Sequence, residues 1–316
     1  MITLADVEKA ARVIEGKLHR TPSARSATLS EETGLDLHFK LEMFQKTGSF
    51  KVRGVINKLS SLSQEEKQRG VVSMSSGNHA QALSFGARLE GVSATIVMPS
   101  WSRQGKVAAT RSYGGQVVLT EEPLMDVVKR LQDERGLTFV HPFDDPLVMA
   151  GQGTLALEML EDVPDIDVAL VTIGGGGLIS GIATALKGRN PRTRVIGIEP
   201  VGAPAMTNSL SQGSPAHLDK VDTVCDGLAA PFAGQHTFEV VKRHVEEVVL
   251  VEDSDTVEAM ALILERLKVV PEASAAAALV PVLKQQVDIP QGATVACVLC
   301  GGNVDARTLG QLLSNR

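Results

Sequence analysis

The chain has 316 residues, of which 43% are hydrophobic and 22% are charged, as in a globular enzyme large enough for one or two domains. A net charge of -6 with scattered basic residues argues against nucleic acid or an anionic membrane surface as partner, so we expect a small molecule. No apolar run approaches the roughly 20 residues of a membrane-spanning helix, and we predict a cytoplasmic protein.

The first predicted element is a helix at the amino terminus. The opening "MITLADVEKAARVIEG" has the pattern of an amphipathic helix and not that of a signal peptide. Two lysines follow in "KTGSFKVRGV", residues 46–55. Lys51 comes directly after Phe50 and opens a helical stretch, where the helix dipole and partial burial favour a neutral, nucleophilic amine. Lys46 has the pattern of a solvated loop lysine, although either lysine alone is more often a surface charge.

From about residue 70 the sequence alternates short β-branched runs with longer helical runs. Examples are "GVVSMSS" before "GNHAQALSFGARLEG" and "DVALVTIGGGG" before "LISGIATALKG". This alternation predicts an α/β fold with parallel sheets that helices cover on both faces. Binding sites in such folds lie beyond the carboxyl ends of the strands, where "SSGN", "GGGG" and "CGGN" follow here.

The first of these clusters, "SMSSGNHAQAL", offers hydroxyl, amide and free backbone N–H donors at a predicted helix start. Such a set can hold a substrate carboxylate without a counter-charge. The alternative is simple helix capping by Ser76 or Asn78. His79 alone is more often a packed histidine than a catalytic one.

The second cluster, Gly174–Gly177, leads from a predicted strand into a helix and predicts a phosphate site, since a Cβ would keep the anion away from the backbone N–H groups. A dinucleotide fingerprint is a competing interpretation. Gly175 and Gly177 supply its first two glycines and Glu199 lies near the expected ribose-binding position, but Ser180 occupies the third glycine position.

The carboxyl-terminal third has weaker signals. Residues 199–235 are rich in Pro, Gly and Ser and predict irregular structure near a site. In "ATVACVLC", a predicted strand, Cys297 and Cys300 face opposite sides, which excludes a shared disulfide or zinc ion and makes Cys297 a buried strand residue.

Six motifs then occur in a characteristic order: "KTGSFKVRGV", "SSGNHAQAL", "HPFDDP", "AGQGTLALEM", "GGGGLISG" and "CGGNVD". In this order they resemble the serine/threonine dehydratase group of fold-type-II pyridoxal-phosphate enzymes, which includes serine racemases. The likeness runs from "TPSARS" to "GGNVD", nearly the whole chain, and it replaces the dinucleotide interpretation with a phosphate site for that cofactor.

The resemblance implies a role for each matching residue. Lys51 would form the Schiff base with pyridoxal phosphate and remove the α-proton, and Phe50 would pack on the pyridine ring. Asn78 would bond the ring's 3'-oxygen, and Cys300 would lie beside the ring nitrogen. Two further sets are implied: the phosphate would be held by Gly174, Gly175, Gly176 and Gly177, and the substrate carboxylate by Ser75, Ser76 and His79.

The implied activity is dehydration of L-threonine or L-serine to 2-oxobutanoate or pyruvate and ammonia. Racemisation is an alternative because Ser76 matches the opposite-face proton donor of racemases. Hydroxyaspartate and phenylserine are alternative substrates, and a purely binding role is a further option that the presence of Lys51 argues against. Phe143 stands where racemase-like members can carry an asparagine, which favours the dehydratase.

The metal site of racemase-like members is incomplete in this sequence. Glu199 and Ala203 match two of its positions, but Ala205 replaces an aspartate ligand, so we expect no required metal. The segment "PEASAAAAL" around Glu272 also departs from the usual "EPSGAAAL", without a predicted consequence. Because the chain stops soon after "CGGNVD", we expect no regulatory domain and no feedback control by an end product.

The implied fold, similar to the β subunit of tryptophan synthase, has two open parallel-sheet domains with the cofactor between them. The large domain would comprise residues 1–66 and 146–316, and the small domain, inserted within it, residues 67–145. A homodimer is expected, as is closure of the small domain over substrate, which would keep water from the carbanion.

Overall fold

Strands and helices alternate through most of the computed structural model, which describes residues 1–314. The strands are β1 (Ser23–Arg25), β2 (Asp36–Leu41), β3 (Val71–Met74), β4 (Ala94–Pro99), β5 (Gln116–Thr120), β6 (Thr138–Phe139), β7 (Val168–Thr172), β8 (Arg194–Pro200), β9 (Glu247–Val251) and β10 (Thr294–Leu299). The first helices are α1 (Leu4–Ile14), α2 (Ala27–Thr33), α3 (Lys51–Ser60), α4 (Gln64–Arg69), α5 (Asn78–Leu89), α6 (Gln104–Ser112), α7 (Leu124–Arg135) and α8 (Pro146–Asp162). The later helices are α9 (Gly177–Arg189), α10 (Ala205–Gln212), α11 (Gln235–His244), α12 (Asp253–Leu267), α13 (Ala273–Ala276), α14 (Val280–Leu283) and α15 (Ala306–Ser314).

Two separate sheets form the framework of the molecule. The first is four-stranded and parallel throughout, in the order β5-β4-β3-β6. The second has the order β1-β2-β10-β7-β8-β9 and is parallel except where β1 pairs with β2. The predicted α/β fold with two parallel-sheet domains is therefore confirmed, and the β1–β2 pair is an antiparallel addition that the sequence pattern did not indicate.

The central strands are apolar on both faces because helices cover both sides of each sheet. All five residues of β7 are buried, and in β10 only Thr294 is not fully buried. Cys297 on β10 lies opposite Phe39 of β2 and Leu170 of β7, so its side chain packs in the core as predicted.

Helix α3 joins the two halves of the molecule. Its residues Val52, Val55 and Ile56 belong to the core of the four-stranded sheet, although they precede residue 67. The proposed division between residues 66 and 67 also falls inside α4.

On its other side α3 crosses α8 at very short range. A Cβ on Gly151 would lie 2.7 Å from the Arg53 carbonyl oxygen, so the crossing requires glycine. Gly54 N–H also donates to Gln152 Oε1 (3.1 Å).

A buried ionic cluster fastens the start of α3 to the six-stranded half. Arg53 is fully buried and donates to Glu42 through Nε and Nη2, both at 2.8 Å, and to Glu158 through Nη1 at 2.6 Å. Lys40 Nζ, also buried, lies 2.7 Å from Glu158. Because buried charges are tolerated only when they are paired, the cluster holds α3 in one position relative to β2 and α8.

The prediction of irregular structure for residues 199–235 was partly wrong. The segment contains α10, which begins after Pro204. The residue at its N-cap makes no side-chain capping bond, so the sequence lacks the usual signal for the start of a helix. Its first N–H groups are capped from a distance by Glu199 at the end of β8, through Met206 N and Thr207 N, each at 2.8 Å. Within residues 1–314, no helix combines the length and apolarity needed to cross a membrane.

Candidate active site

A cavity of about 440 Å³ opens where β3, β7 and β10 end, between the two sheets. Its wall contains every residue that the resemblance assigns to the cofactor or substrate. These are Phe50, Lys51, Ser75, Ser76, Asn78, His79, Gly174, Gly175, Gly176, Gly177 and Cys300. Residues far apart in the sequence thus meet because the carboxyl ends of parallel strands share one edge of a sheet.

Lys51 is the first residue of α3, and its Nζ donates to the Pro142 carbonyl oxygen (3.0 Å) in the cavity wall. Burial lowers the pKa of Lys51 to about 8, although nearby Cys300 and Glu272 act in the opposite direction. The neutral amine is therefore accessible near physiological pH. Its Nζ lies 5.1 Å from the centre of the Phe50 ring.

Lys46 lies outside the cavity. The prediction of a solvated loop lysine was wrong, because its side chain contacts protein. Its Nζ donates to the Lys17 carbonyl oxygen (2.8 Å) and lies 5.9 Å from the Phe85 ring. It does not line the cavity within the described part of the chain. Its contacts are those of a structural residue.

The glycine loop enters α9 with an unusual backbone. Gly176 caps the helix with φ +92, a conformation that favours glycine. The first N–H groups of α9 have no partner within the helix, and at this positive end they suit a phosphate.

Packing within the protein is a further reason for glycine in this loop, one that the sequence did not indicate. A Cβ on Gly176 would lie 2.8 Å from Thr237 Cβ, and one on Gly177 would lie 2.9 Å from the Phe143 carbonyl oxygen. The missing side chains therefore make room for α11 and for the segment at 143. The loop is packed against protein on that side, which leaves its N–H groups for a ligand.

Asp144 supports the same loop indirectly. Its carboxylate accepts from the N–H groups of Gln235, His236 and Thr237 at 2.8–3.1 Å and so caps α11. Thr237 Oγ1 in turn donates to the Gly175 carbonyl oxygen (2.8 Å). The loop conformation thus depends on a chain of contacts that begins next to Phe143.

Helix α5 begins at Asn78, and Gly77 is its N-cap. The alternative that Ser76 or Asn78 caps this helix is wrong, since neither side chain makes a capping bond. Ser75 Oγ accepts from Gly77 N–H (3.1 Å), which orders the turn. Ser76 and Asn78 both border the cavity.

His79 is buried beneath this turn. Its Nε2 lies 3.1 Å from Ser73 Oγ and 3.3 Å from the Val140 carbonyl oxygen, and Nδ1 has no partner within residues 1–314. Burial lowers the pKa of His79 to about 3, so the imidazole is neutral at physiological pH. Ser73 Oγ donates to the Val140 carbonyl oxygen (2.7 Å), so Nε2 carries the proton of the neutral ring and Nδ1 is a hydrogen-bond acceptor.

Cys300 follows β10 at the cavity floor and is 3% exposed. Burial raises the pKa of its thiol, which stays protonated, and Thr172 Oγ1 donates to its sulfur (3.7 Å). The residue beside the site is therefore a neutral, weakly polar group.

Glu272, a buried carboxyl in the cavity wall, was not predicted from the sequence as a site residue. It accepts from Asn78 Nδ2 (2.8 Å), and burial raises the pKa of Glu272 to about 7 against that hydrogen bond. In the sequence, the only unusual feature at this position was that "PEASAAAAL" differs from the usual "EPSGAAAL". That difference did not indicate a role for the carboxyl.

Basic residues of α6 and the turn before it close one side of the cavity. Lys106 pairs with Asp226 (2.7 Å), and Arg103 Nη1 donates to Thr308 Oγ1 (3.2 Å). Both contacts connect the four-stranded half to the six-stranded half.

Glu199 and Ala203 lie apart from the residues that line this cavity. Both oxygens of Glu199 are occupied: one accepts from Met206 N–H, and the other from the N–H and hydroxyl of Thr207 at 2.7–2.8 Å. With Ala205 apolar, these residues do not fit a divalent cation, and no other cluster of three or more acidic, His or Cys side chains in residues 1–314 offers one.

The Lys51 amine and the glycine-rich start of α9 face one cavity between two mainly parallel sheets, an arrangement typical of fold-type-II pyridoxal-phosphate enzymes. A family model described as "Pyridoxal-phosphate dependent enzyme" matches residues 14–301. The chain belongs to this family, and its cofactor is pyridoxal phosphate.

Individual relatives agree with this membership. The chain is 43% identical to an L-threonine ammonia-lyase of Thermotoga maritima, over 99% of this chain and 79% of the relative. The structure of maize serine racemase superposes with a TM-score of 0.94 at 38% identity, covering 99% of this chain and 97% of that one. The processed form of threonine deaminase isoform 2 from Solanum lycopersicum superposes with a TM-score of 0.91 at 32% identity, covering 98% of this chain and 91% of that one.

Proposed function

We propose that this protein is an ammonia-lyase that dehydrates L-threonine, and also L-serine, to 2-oxobutanoate or pyruvate and ammonia. The observation that carries the proposal is the Lys51 amine, with its pKa of about 8, in one cavity with the glycine loop and the neutral thiol of Cys300. Threonine is the first substrate to test because the Thermotoga maritima relative is named for it.

Lys51 has two roles in this proposal. Its amine would hold the cofactor, and the same amine, once free, would take the α-proton of the substrate. Pyridoxal phosphate supplies the electron sink for the carbon–hydrogen bond that breaks. A lysine with a pKa near 8 suits this work, since a substantial fraction is free base near physiological pH and the amine can hold a proton afterwards.

Cys300 would favour elimination of the β-hydroxyl over a long-lived carbanion at the α-carbon. An aspartate beside the ring nitrogen would keep that nitrogen protonated, whereas a thiol whose pKa is raised by burial would not. A weaker electron sink would favour elimination, in which the Cα–H electrons form the Cα–Cβ double bond and the β-hydroxyl leaves with the Cβ–O electrons and a proton, as water. The released enamine then hydrolyses to the oxo acid and ammonia.

The remaining residues hold the reactants. The N–H groups of Gly174–Gly177 would bind the phosphate, Phe50 would cover the ring, and Asn78 would donate to the ring oxygen. Around the α5 turn, the hydroxyls of Ser75 and Ser76 would donate to the substrate carboxylate, and the neutral His79 beneath them would support the turn.

A racemase is the second candidate. Ser76 borders the cavity, where it could return a proton to the opposite face of the α-carbon, and the maize serine racemase structure is closely similar. Phe143, in contact distance of the glycine loop, favours the dehydratase because it brings no polar group to the cofactor.

The experiment is a substrate panel on the purified holoenzyme. L-threonine, L-serine, their D-forms, hydroxyaspartate and phenylserine are incubated separately, and oxo acid, ammonia and enantiomer are all measured. We expect oxo acid and ammonia in equal amounts from L-threonine and none with Lys51→Ala. Inversion of serine faster than ammonia release would replace the dehydratase with the racemase.

Three expectations about organisation accompany the proposal. We propose a small domain of residues 67–145 within a large domain of residues 1–66 and 146–316, since β3 to β6 all fall between those limits. We also propose a cytoplasmic homodimer. Light scattering on the purified protein tests the dimer, and a monomer at micromolar concentration would contradict it.

A further inference from the structure

Glu272 occupies a space that Gly301 leaves open for it. A Cβ on Gly301 would lie 2.7 Å from Glu272 Oε1, whereas one on Gly227 would lie at ordinary contact distance from it, 3.6 Å. The residue is 9% exposed and borders the cavity. Burying a carboxyl costs folding free energy unless it is hydrogen-bonded. We therefore ask which hydrogen bonds Glu272 makes.

The contact with Asn78 belongs to a chain of hydrogen bonds whose direction is determined at one end. The Thr47 carbonyl oxygen can only accept, so Asn303 directs Nδ2 to it (2.7 Å). The second hydrogen of Asn303 Nδ2 goes to Asn78 Oδ1 (2.8 Å). Asn78 must therefore present Nδ2 to Glu272, which accepts one of its two hydrogens at 2.8 Å.

This arrangement leaves the second N–H of Asn78 for a group in the cavity. An ionised carboxylate can only accept, so it keeps the Asn78 amide from rotating to the opposite orientation. On the proposed function, the acceptor is the ring oxygen of pyridoxal phosphate.

We propose that Glu272 is a positioning residue that holds the Asn78 amide as a donor to the ring oxygen of the cofactor, and that it does so in its ionised form. It lies 194 positions from Asn78 and on the other half of the molecule. The inference rests on the proposed function only in the identity of the bound cofactor.

Several charged groups face Glu272 and determine when it ionises. Burial raises the pKa of Glu272 to about 7, and Asp226 acts in the same direction. Asn78, Lys106 of α6 and the Asn303 backbone N–H oppose this rise. From α3, Lys51 interacts with the same carboxyl, as does Cys300 at the end of β10. The carboxylate is therefore expected to gain its proton as pH falls from about 8 to about 6.

The first test measures pyridoxal-phosphate affinity of the apoprotein at pH 8, which requires no substrate. Glu272→Ala should weaken binding tenfold or more, and Glu272→Gln about tenfold, because its amide, like a protonated carboxyl, can turn a donor group toward Asn78. In the Asn78→Ala background, Glu272→Ala should have no further effect, because Glu272 acts through Asn78. Equal, additive losses in both backgrounds would overturn the proposal. Circular dichroism shows whether each variant is folded. If Glu272→Ala does not fold, Glu272→Gln is used in its place.

The second test is the pH dependence of the same affinity. If only the ionised form is competent, the competent fraction falls from about 0.9 to about 0.09 between pH 8 and pH 6, and the apparent affinity falls about tenfold. This extra loss should be present in the wild type and absent in Glu272→Gln, which shares every other titrating group. Glu122→Gln, an exposed carboxyl paired with Arg130, should behave as wild type. Identical pH profiles for wild type and Glu272→Gln would refute the ionised role, whereas lack of any cofactor binding by wild type would instead refute the proposed function.

Discussion

Gly176 provides a quantitative test of the phosphate loop, through the substitution Gly176→Ala. Its φ of +92 costs an L-residue roughly 1–2 kcal/mol. The new Cβ would also lie 2.8 Å from Thr237 Cβ, about 0.6 Å inside the 3.4 Å at which ordinary contact begins. Overpacking of this kind costs about 1–3 kcal/mol. We expect the sum, about 2–5 kcal/mol, to be relieved by movement of the loop away from its phosphate-binding geometry.

The assay is titration of the apoprotein with pyridoxal phosphate, followed by visible absorbance. A loss of about 2.7 kcal/mol of binding free energy corresponds to about 100-fold in affinity, and we expect at least tenfold. Gly213→Ala is the matched control, because Gly213 has φ +80 but open space around its missing Cβ. It should lower the free energy of unfolding by about 1–2 kcal/mol and leave the affinity unchanged. Wild-type affinity in Gly176→Ala, or an equal loss in Gly213→Ala, would refute this reasoning.

Three further predictions concern lysines and the buried ionic cluster. Lys51→Ala should abolish turnover and Lys46→Ala should not, so equal losses in a steady-state assay would undo the assignment. Since burial lowers the pKa of Lys51 to about 8, the free amine forms as pH rises through 8; the rate at which apoprotein attaches pyridoxal phosphate should rise there, and a rise only near 10.5 would contradict this. Arg53→Met leaves Glu42 without its buried partner and should lower the free energy of unfolding by about 3–5 kcal/mol in urea. Arg130→Met, at the exposed pair with Glu122, should change it by less than about 1 kcal/mol, and similar losses in both would contradict the role of the buried cluster.

The parts of the fold that local pattern determines were predictable from the sequence. Apolar runs such as β7 are buried on both faces, so they indicate parallel strands directly, and the glycine loop followed from its position after one of them. Helix α10 was not predictable, because its cap is Glu199 at the end of another strand. The antiparallel β1 is only three residues long and has no periodic signal.

The site divides in the same way. Lys51 and the glycines lie in motifs that can be read from the sequence. The role of Glu272 depends on its contact with Asn78, which is 194 positions away and is visible only in the structure. Arg53 stood in the same motif as Lys51, but its partners Glu42 and Glu158 come together only when β2 and α8 flank α3. The packing contacts of the tetraglycine loop could not be predicted for a similar reason, since Thr237 and Phe143 are distant from it in sequence.

The central claim is that Lys51 carries pyridoxal phosphate in the cavity between the two sheets. The direct measurement is reduction of the holoprotein with borohydride, followed by digestion and peptide mass spectrometry. We expect loss of the visible absorption band and a phosphopyridoxyl mass on the peptide that contains Lys51. A colourless protein, or the added mass on Lys46 or another lysine, would contradict the account.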